Sequence, residues 1–336
     1  MKKKASFWRK QADNKVQCLL CPHSCIISEG KRGRCRVREN IEGDLFTLIY
    51  GSASSVAADP IEKKPLYHFH PGSSALSLGT VGCNLSCKHC QNYSISTVKP
   101  EDTILQELNP DEPVKLAREH GCTGIAWTYN EPSIWHEFTV DASKLAKREN
   151  LYVVYVSNGF ISEEPFREVG EYLDAINIDI KSFSDRFYRE ICGAHLKPVL
   201  DTCKLAKDLN IHLEVTYLVI PGLNDSMEEI GGFCDWVLDA LGSDIPVHFT
   251  RFYPHYKMKD KPSTPVETLR NAYALAWEKG LKYVYLGNVP PGDYDNTFCP
   301  KCGTLLIERY GFSSQMRGLE DGRCFNCSEK IPVIIG

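Results

Sequence analysis

The chain has 336 residues, and its 39 Lys and Arg against 43 Asp and Glu give a net charge of −4. This charge provides no basic field for nucleic acid or an acidic membrane surface. With 43% hydrophobic and 24% charged residues the chain can bury a sizeable core, which excludes intrinsic disorder as its main state. No apolar run reaches the roughly 18 residues of a membrane span. Residues 11–15 after the basic start are polar, so we predict a cytoplasmic protein without an export signal.

The first 50 residues are basic, lack hydrophobic periodicity and contain the first of three cysteine groups among the 15 cysteines of the chain. Thiols two or three residues apart in a chain of this size indicate metal binding rather than disulfides. This first group can close a zinc site or hold an auxiliary iron–sulfur cluster, with His23 as a competing ligand. Its members are Cys18, Cys21, Cys25 and Cys35. The cysteines outside the three groups are expected to be small buried hydrophobes: Cys122, Cys192, Cys203 and Cys234.

From about residue 74 to residue 290, short β-rich runs alternate with helical stretches. Helix starts are signalled by Ser162 before two glutamates and by Asn109 and Thr264 before prolines. Six or seven strand–helix units predict a parallel sheet that fits a partial (β/α) barrel, with the active site at the carboxyl ends of its strands. The predicted strands are Ala75–Thr80, Gly124–Tyr129, Tyr152–Ser157, Ala175–Lys181, His212–Ile220, Val247–Tyr253 and Tyr283–Gly287.

The loop after the first predicted strand contains three cysteines at C-x3-C-x2-C spacing, Cys83, Cys87 and Cys90. Three thiolates in one short loop suit a cubane iron–sulfur cluster in which one iron has no protein ligand. A structural zinc ion would need a fourth ligand, for which His89 is the candidate. A zinc site is therefore the alternative at this loop.

A compact module closes the chain from Phe298 onward and contains two C-x2-C pairs separated by 21 residues. This spacing predicts a zinc ribbon with a closed tetrahedral site, and rubredoxin-like iron is the alternative metal. A structural role is favoured over substrate docking, because small modules need a staple to fold. We expect the apolar tail at 330–335 to pack across the barrel or to offer an edge to a partner. The ligands are Cys299, Cys302, Cys324 and Cys327.

The C-x3-C-x2-C loop resembles the signature of the radical S-adenosylmethionine (SAM) superfamily. The resemblance implies a barrel of six or more βα units and a [4Fe-4S] cluster on Cys83, Cys87 and Cys90 that binds SAM at its open iron. It also implies that an injected electron cleaves SAM to methionine and a 5′-deoxyadenosyl radical, which abstracts a hydrogen atom. Since redox chemistry then has its own cluster, zinc is the favoured metal for the N-terminal cysteines.

Further motifs resemble the radical SAM proteins of the AmmeMemoRadiSam system, relatives of pyruvate formate-lyase activating enzyme, over nearly the whole chain. This resemblance implies a reductant of the ferredoxin or flavodoxin type and a protein or peptide target, such as a glycyl radical site. The motifs are CLLCPHSC at 18–25, GRCRVR at 33–38, KPLYHF at 64–69, CQNY at 90–93, YNEPSI at 129–134, VSNG at 156–159 and VIPGLND at 219–225.

The same resemblance assigns SAM-binding roles near the first two strands. His89 lies where the superfamily places a ring side chain near the adenine, and a packing residue is the alternative. Glu131 is expected to accept from the SAM ammonium group, while Asn130 caps the helix that opens at Pro132. A helix cap is the alternative role for Glu131.

Three later strands carry the other SAM-binding candidates. Ser157 and Asn158 stand where the activating enzymes carry Asp-Thr-Asn-Gly, and the serine weakens the case for a monovalent cation that the aspartate would help to bind. Asp179 and Lys181 share one face of a strand and are expected to contact each other and SAM, with a structural ion pair as the alternative. Arg251 has a planar fork that suits a carboxylate, and a surface arginine is the alternative.

These features predict an α/β fold with a partial (β/α)6-type TIM barrel at 73–292, an N-terminal Cys-rich extension at 1–72 and a zinc-ribbon-like module at 293–336. The predicted function is that of a radical SAM enzyme, an oxidoreductase that abstracts hydrogen from a target. Modification of a small molecule or RNA is the enzymatic alternative, and the net charge argues against RNA. A non-catalytic multi-metal adaptor is the alternative of another class, but it would have no use for Asn130, Glu131 and the Asp179–Lys181 pair at strand ends.

Overall fold

A sheet of eight strands forms the centre of the protein in a computed structural model that describes residues 1–290 and 292–335. Seven strands are parallel and follow one another across the sheet in chain order, and Ser55–Pro60 adds an antiparallel edge strand beside the first. Their side chains are mostly buried, as in parallel sheets covered on both faces. The first to seventh parallel strands are Ser74–Gly79, Gly124–Trp127, Tyr152–Ser157, Ala175–Asp179, His212–Val219, Val247–Arg251 and Val284–Gly287.

One helix of eight or more residues connects each pair of successive parallel strands. Their apolar residues recur at helical spacing, as Val199, Cys203 and Ala206 do on the fourth helix, and face the sheet. These helices are Glu112–Glu119, His136–Arg148, Glu163–Gly170, Leu196–Asp208, Met227–Ala240 and Val266–Glu278. Shorter helical segments are Ile61–Lys63, Tyr93–Ser96, Pro100–Asp102, Pro132–Trp135, Asp185–Phe187, Tyr188–Cys192 and Asp293–Asp295.

Small antiparallel sheets with a core of their own make up the N-terminal extension. The extension is fastened to the second helix by a buried ion pair, in which Arg38 Nη2 lies 2.5 Å from Glu137 Oε1. Removing one partner of such a pair costs about 3–5 kcal/mol, because the other charge stays buried. The strands are Lys3–Lys4, Trp8–Lys10, Val16–Cys18, Ile26–Ile27, Arg38–Ile41 and Asp44–Thr47, and Ser52–Ala53 pairs with Gln106–Glu107.

The C-terminal module is a set of short antiparallel strands that packs on the central sheet. Its Leu306 and Ile307 are fully buried in one core with Tyr285 of the seventh strand. The module therefore shares its core with the sheet rather than standing apart. The strands are Thr297–Phe298, Leu305–Tyr310, Ser313–Met316, Leu319–Glu320 and Arg323–Cys324.

Two further contacts place this module at the amino-terminal ends of the parallel strands. Arg309 is 3% exposed, and its Nη2 donates to Tyr67 O at 2.6 Å. In the tail, Ile334 pairs with Phe69, whose ring contacts Tyr152 at the start of the third strand. The tail thus packs across the sheet, which was one of the two predicted alternatives.

All seven predicted strands are present, and their ends differ from the predictions by at most two residues. The first long helix begins at Glu112 rather than directly after Asn109, because the chain between them forms a tighter turn in which Glu112 N donates to Asn109 O at 3.0 Å. The edge strand Ser55–Pro60 was not predicted, since its outer residues are half exposed and it ends in proline. In the described part of the chain, no helix is long and apolar enough to cross a membrane.

Candidate active site

A cavity of about 570 Å³ opens where the seven parallel strands end. Each strand or the loop that follows it contributes to the lining, from Cys83 after the first strand to Asn288 after the seventh. The cavity thus lies at the carboxyl ends of the strands, where the sequence places the active site. Every candidate for cluster or SAM binding except Arg251 lines this cavity: Cys83, Cys87, His89, Cys90, Asn130, Glu131, Ser157, Asn158, Asp179 and Lys181.

Hydrogen bonds to a neighbouring segment hold the cysteine loop in place. Ser86 N donates to Cys192 O at 2.8 Å. The acceptor ends Tyr188–Cys192, a single turn of π-helix, a geometry frequently found at functional sites. Within the loop, Leu85 N donates to Cys83 Sγ at 3.4 Å. The loop therefore has a fixed shape before any ligand binds.

The three thiols of the loop do not form a single-ion site among the described residues. In residues 1–290 and 292–335, the C-terminal cysteines are the one group of three or more candidate ligands whose ligand atoms all lie within 4.8 Å of one another. Thiolates around one zinc ion, at ~2.3 Å from the metal, lie about 3.8 Å apart. A four-iron cube carries its thiolates on separate irons and holds them farther apart. Cys83, Cys87 and Cys90 are thus not gathered with His89 around a single ion, and the [4Fe-4S] cluster stays the prediction for this loop.

The surroundings of the loop shift the pKa values of Cys83 and Cys87 in opposite directions. Burial raises the pKa of Cys83 well above its usual value, and the charge of Glu131 adds to this effect. The pKa of Cys87 is lowered by a hydrogen bond with Cys192 and, against the effect of burial, by the charge of Lys181. Metal binding requires thiolates, so Lys181 favours the ligating form of Cys87. Cys192 was expected only to fill the core, and nothing in its spacing marked it as a neighbour of the cluster site.

Glu131 is a fixed carboxylate at the end of the second strand, only 1% exposed. Its Oε1 accepts from Ser133 N at 3.0 Å and from Ser157 Oγ at 2.8 Å, and its Oε2 accepts from Asn158 N at 2.8 Å. Burial raises the pKa of this carboxyl, and the surrounding donors oppose the rise. Ser157 and Asn158 thus position Glu131 toward the cavity.

Asn130 bonds to the cysteine loop and does not form the helix cap predicted for it. Its Oδ1 accepts from Thr80 N at 3.0 Å, and its Nδ2 donates to Gly82 O at 2.8 Å, so it fastens the start of the cysteine loop. The residue that caps Pro132–Trp135 is Glu131. Glu131 thus forms the helix cap that was its alternative role, because its side chain accepts from Ser133 N, and the cap predicted for Asn130 is wrong.

Three buried polar atoms beside the cavity have no hydrogen-bond partner among the described residues. Asp179 forms the predicted ion pair with Lys181 through Oδ2, but its Oδ1 is unpaired. Both ring nitrogens of His89 are unpaired as well, and burial lowers the pKa of His89 to about 3. Buried polar groups are normally hydrogen-bonded, so these atoms mark where a polar ligand would bind.

Arg251 lies outside the cavity. Its Nε donates to Thr264 O at 2.7 Å, and its Nη1 donates to Tyr253 OH at 3.1 Å. These contacts direct the guanidinium away from the lining, and the residue is half-buried rather than the surface arginine given as the alternative. The guanidinium could bind a carboxylate, but the path of the chain after the sixth strand places it outside the cavity.

Two residues of the cavity were not singled out from the sequence. Lys64 is 2% exposed, and its Nζ donates to Asp59 Oδ2 at 2.6 Å. Tyr129 OH donates to the same oxygen at 2.7 Å. Both residues belong to motifs noted in the sequence, but membership in a motif did not show that their side chains face the cavity.

The C-terminal cysteines form a compact four-thiol site. Cys299 Sγ lies 3.5 Å from Cys327 Sγ, and Cys302 Sγ lies 3.6 Å from Cys324 Sγ. These distances match the spacing of four thiolates around one tetrahedral ion. The site is at the opposite end of the sheet from the cavity.

The N-terminal cysteines line a separate, smaller cavity together with His23. In the described ranges, no three of their sulfurs meet the spacing of the C-terminal site. The zinc ion favoured from the sequence for these cysteines stays a prediction. The set consists of Cys18, Cys21, Cys25 and Cys35.

Comparisons with known proteins agree with this geometry. A family model described as the radical SAM superfamily matches residues 77–234. An uncharacterized protein of Methanocaldococcus jannaschii is 48% identical over 335 residues, which cover 99% of this chain and 100% of that protein. The pyruvate formate-lyase-activating enzyme of Clostridium pasteurianum is 25% identical over 216 residues, which cover 60% of this chain and 87% of that enzyme. Among solved structures, Streptococcus suis SuiB matches with a TM-score of 0.50 and 10% identity over 66% of this chain and 48% of that chain.

Proposed function

The chain belongs to the radical SAM superfamily, and we propose that it cleaves SAM reductively and abstracts hydrogen from a protein target. The observation that carries this proposal is the single cavity in which the three loop cysteines meet polar residues from the ends of the other strands. We also propose that residues 73–292 form a partial (β/α) barrel, with the N-terminal extension at 1–72 and a zinc ribbon at 293–336.

Cys83, Cys87 and Cys90 would hold a [4Fe-4S] cluster with one iron open to SAM. When bound and reduced, this cluster supplies the electron that splits SAM into methionine and a 5′-deoxyadenosyl radical. The protein's own contribution is to fix the loop through Cys192 and Asn130 and to exclude water around the radical. The loop would hold the three cysteines at the cavity wall, where the cluster would meet SAM.

The free acceptors beside the cavity suit the polar groups of SAM. Each carboxylate oxygen has two acceptor positions, so Glu131 Oε2, which accepts one bond, retains one for the SAM ammonium group. Asp179 Oδ1 is free to accept a hydrogen bond from a ribose hydroxyl of SAM. Lys181, which already pairs with Asp179 Oδ2, would also pair with the carboxylate of SAM. The neutral His89 ring can hydrogen-bond or stack against adenine. These assignments follow the resemblance residue by residue, with Arg251 left out.

A protein target of the glycyl-radical type is favoured by the relatives. The matched enzyme of Clostridium pasteurianum is a pyruvate formate-lyase-activating enzyme, and a 4-hydroxyphenylacetate decarboxylase activating enzyme of Clostridium scatologenes is 24% identical over 43% of this chain. Such chemistry needs a one-electron reductant, for which a ferredoxin or flavodoxin is the expected class. Lys63 and Lys64 both pair with Asp59 beside the cavity, so these three residues together carry one net positive charge, which suits an acidic group on the target.

The test is anaerobic reconstitution of Cys83→Ala, Cys87→Ala and Cys90→Ala variants beside the unchanged protein. Each variant should lose the EPR signal of the reduced cluster and the formation of 5′-deoxyadenosine from SAM. Cys203→Ala, a buried cysteine far from the cavity, is the matched control and should keep both. A loop variant that cleaves SAM at the full rate would remove that cysteine from the assignment. Deuterium transfer from labelled candidate proteins into 5′-deoxyadenosine would then identify the target.

A further inference from the structure

The N-terminal cysteines form a second site for which the proposed SAM chemistry does not account. We propose that these four cysteines bind an auxiliary [4Fe-4S] cluster that passes one electron to the cluster of the Cys83 loop. That these cysteines bind a cluster does not depend on the proposed function. That this cluster passes an electron to the Cys83 loop rests on the proposed function. The ligands are Cys18, Cys21, Cys25 and Cys35.

The spacing of the sulfurs separates this site from the C-terminal one. The same chain gathers four thiols to within 4.8 Å of one another in the C-terminal module, where a single ion fits. The N-terminal thiols line one cavity without reaching that spacing in any set of three among the described residues, as is also true of the Cys83 loop. Thiolates on the corners of a four-iron cube are spaced in this wider way. The N-terminal site thus resembles the cluster loop and not the ribbon.

The surroundings of the N-terminal thiols supply a donor for a cluster. Arg38 lines the same cavity and is 1% exposed, and its Nε has no partner among the described residues although Nη2 pairs with Glu137. Hydrogen bonds to cluster sulfurs are one of the means by which a protein sets a cluster's potential. A buried, unpaired guanidinium N–H is suited to this role.

The two cysteine sites share a wall. His23 Nε2 lies 2.8 Å from Asn84 O, and Asn84 Oδ1 lies 3.9 Å from Cys83 Sγ. A Cβ on Gly82 would lie 2.6 Å from Cys35 O, so the two loops approach as closely as glycine allows. Asn84 therefore contacts one site with its backbone and the other with its side chain. Electron transfer falls steeply with distance, and this shared wall keeps the path short.

The proposed step moves one electron and no atoms. A low-potential protein of the flavodoxin or ferredoxin class reduces the N-terminal cluster by one electron. That cluster is then oxidised by one electron, and the cluster of the Cys83 loop is reduced by one. No proton moves and no bond forms or breaks in this transfer.

The binding part is tested without touching the N-terminal site, in a Cys83→Ala/Cys87→Ala/Cys90→Ala variant. The protein is reconstituted anaerobically with ferrous iron and sulfide in the presence of zinc, and its metals and sulfide are counted. We expect about four irons and about four sulfides per chain in this variant and about eight of each in the unchanged protein, since each cube has four. A variant with no iron and a second zinc ion, beyond the one in the ribbon, would overturn the proposal.

The electron-transfer part is tested in a Cys18→Ala/Cys21→Ala/Cys25→Ala variant that keeps the Cys83 cluster, with Cys122→Ala as the matched control. The EPR signal of the Cys83 cluster is followed during reduction by reduced flavodoxin or by dithionite. We expect reduction by flavodoxin to slow at least about tenfold and reduction by dithionite to be unchanged. An unchanged rate with flavodoxin would refute the relay. Failure of the unchanged protein to cleave SAM with dithionite, with both clusters loaded, would instead refute the proposed function.

Discussion

Replacing Glu131 by glutamine separates the structural role of this residue from its role toward SAM. Three donors converge on the carboxylate: Ser133 N, Ser157 Oγ and Asn158 N. A glutamine side chain has one oxygen and one NH₂ group. The serine hydroxyl can rotate to accept from NH₂, but one of the two backbone N–H groups then faces another donor.

The magnitude follows from that one lost bond. A hydrogen bond to a charged group contributes about 1.5–3 kcal/mol. Because burial already raises the pKa of Glu131, removing the charge relieves part of its desolvation cost. We therefore expect the free energy of unfolding at neutral pH to fall by about 1–2 kcal/mol. If Glu131 also holds the SAM ammonium group, SAM affinity should fall by about 10- to 150-fold.

Urea unfolding and SAM binding to cluster-loaded protein measure the two effects separately. Ser157→Ala is the matched control, because it removes one donor from Oε1 and leaves the carboxylate charge and Oε2 intact. It should cost stability and lower SAM affinity less than Glu131→Gln does, because Asn158 N still holds Oε2 and the charge remains. Equal SAM affinity for Glu131→Gln and the unchanged protein would restrict Glu131 to the helix cap. Unchanged stability would show that the three-donor argument is wrong.

Three other predictions concern stability at the opposite end of the sheet. Burial lowers the pKa of His68 to about 3, so below the ordinary value of ~6.5 the unfolded chain binds a proton that the folded chain does not. The free energy of unfolding should therefore decrease as the pH decreases, by about 2 kcal/mol from this residue at pH 5. Urea unfolding of His68→Gln should show a weaker dependence on pH, and an identical pH dependence would contradict the assignment. Arg309→Ala should lower the free energy of unfolding by about 3 kcal/mol, because it leaves the buried Tyr67 O without its donor. Arg317 is exposed, and Arg317→Ala should change the free energy of unfolding by less than about 0.5 kcal/mol. Equal losses in the two variants would refute the anchoring role of Arg309. Removing the ribbon metal with a chelator should lower the melting temperature and leave the EPR signal of the Cys83 cluster unchanged, and loss of that signal would show that the ribbon supports the active site.

The parts of the fold that repeat could be predicted from the sequence. Alternating β-rich and helical runs located all seven parallel strands, because each strand is a buried run between recognisable helix starts. The three-cysteine loop was located for a similar reason, since its ligands lie within eight residues of one another. The cavity follows from these two predictions, because parallel strands bring their carboxyl ends to one edge.

Side-chain directions at the strand ends could not be predicted in the same way. Asn130 and Glu131 are adjacent and both can cap a helix, so the choice between them depends on the path of the turn. Arg251 lies on the correct strand but bonds to Thr264, 13 residues later, which the sequence marks as a helix start and not as a partner of this strand. Cys192 reaches Cys87 across 105 positions through a π-helical turn that has no sequence signature.

The positions of the three cysteine sites divide the molecule by task. The ribbon lies at the amino-terminal ends of the strands, where Arg309 and the tail hold it to the sheet. Truncation from Phe298 onward would expose the core shared with Tyr285, so loss of activity in a truncated protein would report unfolding rather than a catalytic role. The N-terminal extension, by contrast, contacts the cluster loop itself through Asn84 and Gly82. Changes in the extension should therefore alter the redox behaviour of the active site, and changes in the ribbon should alter stability alone.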